Sequence, residues 1–109
     1  MADVNVFLTE GTSQNSTPLT DAIFKSKYDE DRSLGEVRSL IQRGADVNMI
    51  DLHGWSPLIK AIWVQSHRIV QVLLDNGADP NWGDPRPLEA ALNKKNWIIA
   101  SILINAGAH

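Results

Sequence analysis

Apolar residues recur at helical spacing in three separated stretches of the chain. Val37/Leu40/Ile41, Val70/Leu73/Leu74 and Ala100/Leu103/Ile104 each follow the i, i+3, i+4 pattern of a buried stripe on a helix. Ahead of each stripe lies a shorter pattern: Thr17-Pro18-Leu19-Thr20-Asp21-Ala22, Ser56-Pro57-Leu58-Ile59-Lys60-Ala61 and Arg86-Pro87-Leu88-Glu89-Ala90-Ala91. Thr17 and Ser56 are of the type that caps a helix by accepting hydrogen bonds from its free amides. Proline next is tolerated at the first helical position. Alanine four residues after each proline keeps this first helix thin, so a second helix can pack close. Each second stripe runs into glycine, in Gly44-Ala45-Asp46-Val47-Asn48, Gly77-Ala78-Asp79-Pro80-Asn81 and Gly107-Ala108. Glycine accepts the left-handed conformation of a helix C-terminus, and Asp and Asn suit the turns that follow. The pattern therefore predicts an all-α chain in which one unit, helix–turn–helix plus a projecting turn, occurs three times.

Gly44 and Gly77 stand 33 positions apart. That period, with the T-P-L-x-x-A string, resembles the ankyrin repeat family, whose signature is a 33-residue unit carrying T-P-L-H-x-A. The resemblance covers residues 17–108 and is best from Asp51 to Asp79. It implies an ankyrin-repeat solenoid of about three helix–turn–helix repeats with projecting β-turn loops. The chain then forms a single domain over residues 1–109, with repeats at 17–48, 51–81 and 82–109 and a lead-in over 1–16. Ala2-Asp3-Val4-Asn5 repeats the wording of residues 45–48, which is either the remnant of a preceding turn or a chance match of four residues.

Departures from the family pattern are informative. Thr20, Ile59 and Glu89 occupy the place of its histidine. Gln65 and Lys95 replace the glycine usual between paired helices, which predicts backbone strain there. Ala22 to Gly44 spans 22 positions, whereas Ala61–Gly77 and Ala91–Gly107 each span 16. The surplus, including Lys27-Tyr28-Asp29-Glu30-Asp31-Arg32, reads as a solvated loop, with Ser33 capping the following helix and Glu36 completing a capping box. The acidic triplet in it lacks the spacing of a calcium loop. In the third repeat Arg86 stands at the cap position, where arginine has no acceptor to offer, so Asp84 is expected to cap instead.

Composition narrows the function. The chain has 109 residues, 43% apolar and 21% charged, with a net charge of −3 and no cysteine. There is no basic excess for a nucleic-acid backbone, no run long enough to span a membrane, and no thiolate for metal or catalysis. His53, His67 and His109 form no paired ligand motif, and Ser56 near His53 reads as a helix cap rather than a nucleophile. Asp46, Asp51 and Asp79 fall at repeat turns, where carboxylates bond backbone amides. The expectation is a non-enzymatic protein without cofactor or metal. The family resemblance adds that Asn48 and Asn81 match positions hydroxylated in some relatives; an unmodified turn asparagine is the simpler reading.

The resemblance also implies that a protein partner docks on the concave face, lined by the projecting turns and the outward positions of the first helices. Counting from the repeat alanine assigns Phe24/Lys25, Trp63/Val64 and Asn93/Lys94 outward, together with Thr20/Asp21, Ile59/Lys60 and Glu89/Ala90. Four tryptophans are many for this length, and clustered exposed aromatics are the stuff of binding hot spots. The expected partner-binding residues are Phe24, Trp55, Ile59, Lys60, Trp63, Trp82, Arg86 and Lys94; the other reading is of tryptophans that only brace the turns against the helices. An inhibitor, immunity-type or adaptor role follows, in an intracellular, cytoplasmic setting. The alternative is a scaffold. Residues 97–104 are apolar nearly all round, so the last helix could join further repeats or form a homodimer through the C-terminal repeat.

Overall fold

A computed structural model describes residues 16–109. Among these residues there are six α-helices and no strand: α1 (Pro18–Phe24), α2 (Glu30–Gln42), α3 (Pro57–Trp63), α4 (His67–Asp75), α5 (Pro87–Asn93) and α6 (Trp97–Asn105). They pack in pairs, α1 on α2, α3 on α4 and α5 on α6. The pairs then stack, first helix on first helix and second on second. The product is the expected solenoid. The Ala2–Asn5 string and all but the last residue of the lead-in lie outside the described residues.

Local chemistry starts each helix where the sequence places it. The Thr17 hydroxyl accepts from the Thr20 amide, and Ser56 accepts from Ile59 N–H. Ser66 and Asn96 cap α4 and α6 in the same way. Thr20, standing at the family's histidine position, turns back to bond the Thr17 amide at 2.9 Å and closes a capping box. It is therefore fully buried, not outward as its register suggests. Ala90 is likewise buried, and Val64 packs partly against the core. The thin-helix alanines Ala22, Ala61 and Ala91 are buried between paired helices. Gln65 and Lys95 adopt φ of +59° and +55°, the left-handed conformation that glycine would take without strain.

Two expected caps are displaced. Helix α2 begins three residues before Ser33, with Asp29 as its cap and Glu30 and Asp31 in its first turn. Acidic side chains there complement the positive end of the helix dipole. The surplus of repeat 1 is thus a short 3-10 turn, Lys25–Lys27, followed by an extra turn of helix. Ser33 lies inside α2, buried, and its hydroxyl donates to the carbonyl of Ala22 in α1. In repeat 3, Arg86 occupies the cap position of α5 without a side-chain bond. Asp84 does not replace it: its carboxylate bonds no amide of α5 among the described residues. The Asp84–Pro85 peptide bond is cis.

The projecting turns are tied across the stack by a repeated device. Asn48 Nδ2 donates to the carbonyl of Gly77 (3.1 Å), and Asn48 Oδ1 accepts from the Asp79 amide (2.8 Å). One repeat on, Asn81 Nδ2 donates to Gly107 (3.3 Å) and Asn81 Oδ1 accepts from the His109 amide (3.0 Å). Asp46 and Asp79 each accept the amide of the asparagine two residues ahead at 2.9 Å, which fixes its backbone. Each asparagine thus satisfies a donor and an acceptor of the following turn, so these turns are a hydrogen-bonded edge of the stack.

The core is formed by Leu19, Ile23, Val37, Leu58, Ile62, Ile69, Leu73, Ile99 and Leu103 with their small neighbours. The second-helix stripes are buried at Val37, Val70, Leu73, Ala100 and Leu103 and half-buried at Leu40, Ile41 and Leu74. Ile104 departs from this pattern and is exposed. One register position shows why. Ile23 and Ile62 are 0% exposed because the next helix pair covers them, whereas Leu92, their equivalent in the third repeat, is 44% exposed.

Candidate binding surface

The first helices α1, α3 and α5 lie side by side, so their outward positions and the turns that lead into them share one face. Phe24 ends α1, Lys60 lies mid-way along α3, Trp63 ends α3 and Lys94 caps the C-terminus of α5. Trp55 precedes α3 in a turn built by Asp51. The buried Asp51 carboxylate accepts the amides of His53 (2.9 Å) and Trp55 (3.0 Å), and the Asp51 amide donates to the Trp55 carbonyl (3.0 Å). That closed turn fixes where the Trp55 indole starts.

These side chains meet in a continuous series of rings and ammonium groups. The Lys60 Nζ lies 4.9 Å from the centroid of Phe24 and 4.9 Å from that of Trp55. Trp55 meets Trp63 edge to face, with centroids 5.4 Å apart and planes at 67°. Lys94 Nζ sits 3.7 Å from the Trp63 centroid. The attraction is between the cation and the electron-rich ring face, worth about 0.5–1 kcal/mol at an exposed site. Two of these contacts join different repeats: Phe24 of the first to Lys60 of the second, and Trp63 of the second to Lys94 of the third. Trp63 remains 52% exposed despite them.

Five of the eight residues singled out in the sequence, Phe24, Trp55, Lys60, Trp63 and Lys94, thus meet in one series. The other three do not join it. Ile59 is half-buried against the following turn, where a Cβ added at Gly83 would lie 3.3 Å from Ile59 Cδ1. Trp82 is 43% exposed but lines a separate hollow with Asn48, Ile50, Ser56 and Asp79. Arg86 is exposed beside the start of α5. Sequence reasoning missed Lys27 and Tyr28, which extend the series. Lys27 Nζ lies 5.2 Å from the Phe24 ring, and Tyr28 meets Phe24 edge to face at 6.4 Å. The i, i+4 spacing of Phe24 and Tyr28 was the available signal.

Charge is distributed unequally between the two sides. On the second-helix side, Arg68 of α4 bonds Asp31 (2.7 Å) and Glu30 (3.2 Å) of α2. The hydrogen bonds it donates to Asp31, then to Glu30, hold its guanidinium above the ordinary arginine value. A raised value means the pairing is retained below it and lost only as pH climbs through it, so Arg68 stays charged across the neutral range. No group of three His, Cys, Asp or Glu suited to a metal ion occurs among the described residues. No described helix is long and apolar enough to cross a membrane.

A family model described as ankyrin repeats (3 copies) matches residues 2–84 and 37–109. The chain is 46% identical over 52 residues to the human mitochondrial disaggregase, a match covering 48% of this chain and 7% of that protein. It is 39% identical over 71 residues to the putative ankyrin repeat protein YahD of Escherichia coli, covering 58% and 35%. It is 34% identical over 76 residues to the rat cyclin-dependent kinase 4 inhibitor B, covering 66% and 58%. The chain therefore spans less than two thirds of the length of each of these relatives.

Proposed function

The chain belongs to the ankyrin repeat family, and from that premise we propose that it docks one folded protein partner on the face carrying Phe24, Trp55, Lys60, Trp63 and Lys94. Ankyrin repeats are protein–protein interaction modules. The observation that carries the proposal is the series of half-exposed aromatic rings bridged by lysines across three repeats. Aromatic anchors of this kind dominate binding energy at interfaces. Ile59, Trp82 and Arg86 border the surface as its rim. The mechanism is occlusion: a rigid face covers a functional surface of the partner, as an inhibitor, immunity-type protein or adaptor would. The similarity to a cyclin-dependent kinase inhibitor supports inhibition without naming the target. The reading is non-enzymatic and intracellular, with a cytoplasmic site of action. Affinity capture by the native chain, followed by titration of the captured partner, tests the reading. Trp63→Ala is expected to weaken binding by about 2 kcal/mol or more, against a loss of about 1 kcal/mol in stability from its contacts with Trp55 and Lys94. Unchanged affinity would sink the proposal.

A second reading, self-assembly through the C-terminal repeat, is favoured by one observation. Leu92, Trp97, Ile98 and Ile104 are all exposed on a repeat with no charged residue between positions 97 and 105. Sedimentation over a concentration range tests it. A dimer that dissociates on Leu92→Glu supports it, and a constant monomer mass removes it.

A further inference from the structure

We propose that the partner segment docking on this face is acidic, its carboxylates seating on the ammonium groups of Lys60 and Lys94. The inference rests on the reading of the aromatic face given above and deepens it. The molecule carries a net charge of −3, yet none of its described ion pairs takes up Lys60 or Lys94, and the one pair on a first helix joins Lys25 to Asp21 beside Phe24. Lys25 pairs with Asp21, Arg32 with Glu36, and Arg68 with Glu30 and Asp31. Lys60 and Lys94 belong to no ion pair among the described residues and rest on rings instead. A ring face attracts the cation but offers no lone pair, so the three N–H donors of each ammonium still need acceptors. Water supplies them in the free protein, and a carboxylate is the acceptor that adds charge to the bond.

The rings also hold the ammoniums in place. Lys60 is held between Phe24 and Trp55 at 4.9 Å from each, and Lys94 is 3.7 Å above Trp63. A lysine so placed has already given up rotamer freedom that a free side chain would lose on binding. The two lysines come from adjacent repeats, and the rings between them offer apolar contact. The surface fits a segment bearing at least two Asp or Glu residues alongside an apolar side chain. Lys27, 5.2 Å from the Phe24 ring, continues the same sign of charge. Asp84 and Glu89, also exposed, make no ion pair with either lysine. A basic segment would have to displace both ammoniums, and like charges facing each other are a means of rejecting partners.

Selection of a random twelve-residue phage-displayed peptide library on the immobilised full chain tests the proposal, with Lys60→Gln/Lys94→Gln and Trp63→Ala chains selected in parallel. Both lysines are half-buried and rest on rings, so the double variant is expected to melt somewhat below the native chain yet to stay folded at the temperature of selection, which its helical circular dichroism checks. Peptides enriched on the native chain over the double variant should carry an excess of Asp and Glu. Synthesised singly, they should bind the double variant about tenfold more weakly and lose affinity as salt is raised. Enriched peptides without an acidic excess that nevertheless fail on Trp63→Ala would overturn the acidic partner and leave the aromatic docking face standing. Peptides that bind the native and Trp63→Ala chains alike would overturn both. An oligothymidylate that displaces the acidic peptides and binds more tightly than they do would overturn the proposal in favour of a nucleic acid.

Discussion

Single residues in the turns set both the strain and the cohesion of this molecule. Lys95 holds φ at +55° without the freedom of glycine. A left-handed non-glycine residue costs about 1–2 kcal/mol, part of which glycine gives back as unfolded-state entropy. Lys95→Gly is therefore expected to stabilise the fold by about 0.5–1 kcal/mol, read as a higher midpoint in urea. Gln65 is the less clean site, because its side chain accepts from Asn96 at 3.4 Å. Asn48 works in the other direction. Its amide joins the Gly77 carbonyl and the Asp79 amide, and truncation leaves both to solvent. Asn48→Ala is expected to cost about 1–2 kcal/mol and to speed hydrogen exchange at the Asp79 amide. Faster exchange elsewhere, with Asp79 unchanged, would contradict the bridging role. The same engagement argues that hydroxylation at Asn48 would have to leave both bonds intact.

At the scale of elements, the start of α2 decides how the first repeat is held. Asp29 caps it through the Arg32 amide at 3.1 Å, and Ser33, four residues on, faces the core and bonds Ala22. Asp29→Ala is expected to cost about 1 kcal/mol through the lost cap; a start at Ser33 would leave that substitution neutral. Chemical denaturation of the variant distinguishes the two. The sequence favours Ser33 because Ser33-x-x-Glu36 has the form of a capping box, whereas Asp29 is followed three residues on by Arg32, which has no acceptor to complete one. What ranks them is α1. Only when α2 is packed on α1 does Ser33 find the Ala22 carbonyl and α2 gain an additional turn. Thr20 is the opposite case, set by a bond only three residues long. Counting from Ala22 placed it outward, while its hydroxyl is drawn in by the Thr17 amide and carbonyl.

Across the whole molecule, position in the stack determines what a side chain contributes. Ile62 and Leu92 share one register position, but the first is fully buried where α5 packs on α3 and the second is 44% exposed. Ile62→Ala should remove about 2–5 kcal/mol of stability, whereas Leu92→Ala in a monomer should remove well under half of that. Comparable losses at the two sites, with a concentration-dependent midpoint, would instead point to a covered C-terminal face. The ring–lysine series has the same origin. Phe24 and Lys60 are 36 positions apart, and Trp63 and Lys94 are 31 apart; stacking alone makes them neighbours. The sequence identified five members of that surface because register assigned each to the outer side of its own repeat. Ile59 and Trp82 stand outside the series because their neighbours, Gly83 and the Asn48–Ser56 hollow, belong to adjoining turns.

The sequence by itself determined the repeating unit, its helix starts at Thr17 and Ser56, its thin first helices and the strained turns at Gln65 and Lys95. These depend on interactions within a few residues, which sequence spacing records directly. Tertiary structure decided where α2 begins, which asparagine bridges which turn, and which lysine rests on which ring. The asparagine bridges and the lysine–ring contacts join repeats about thirty residues apart, and the start of α2 depends on α1, packed against it within one repeat. Their energies are set by what the packed neighbour presents, which local spacing does not encode.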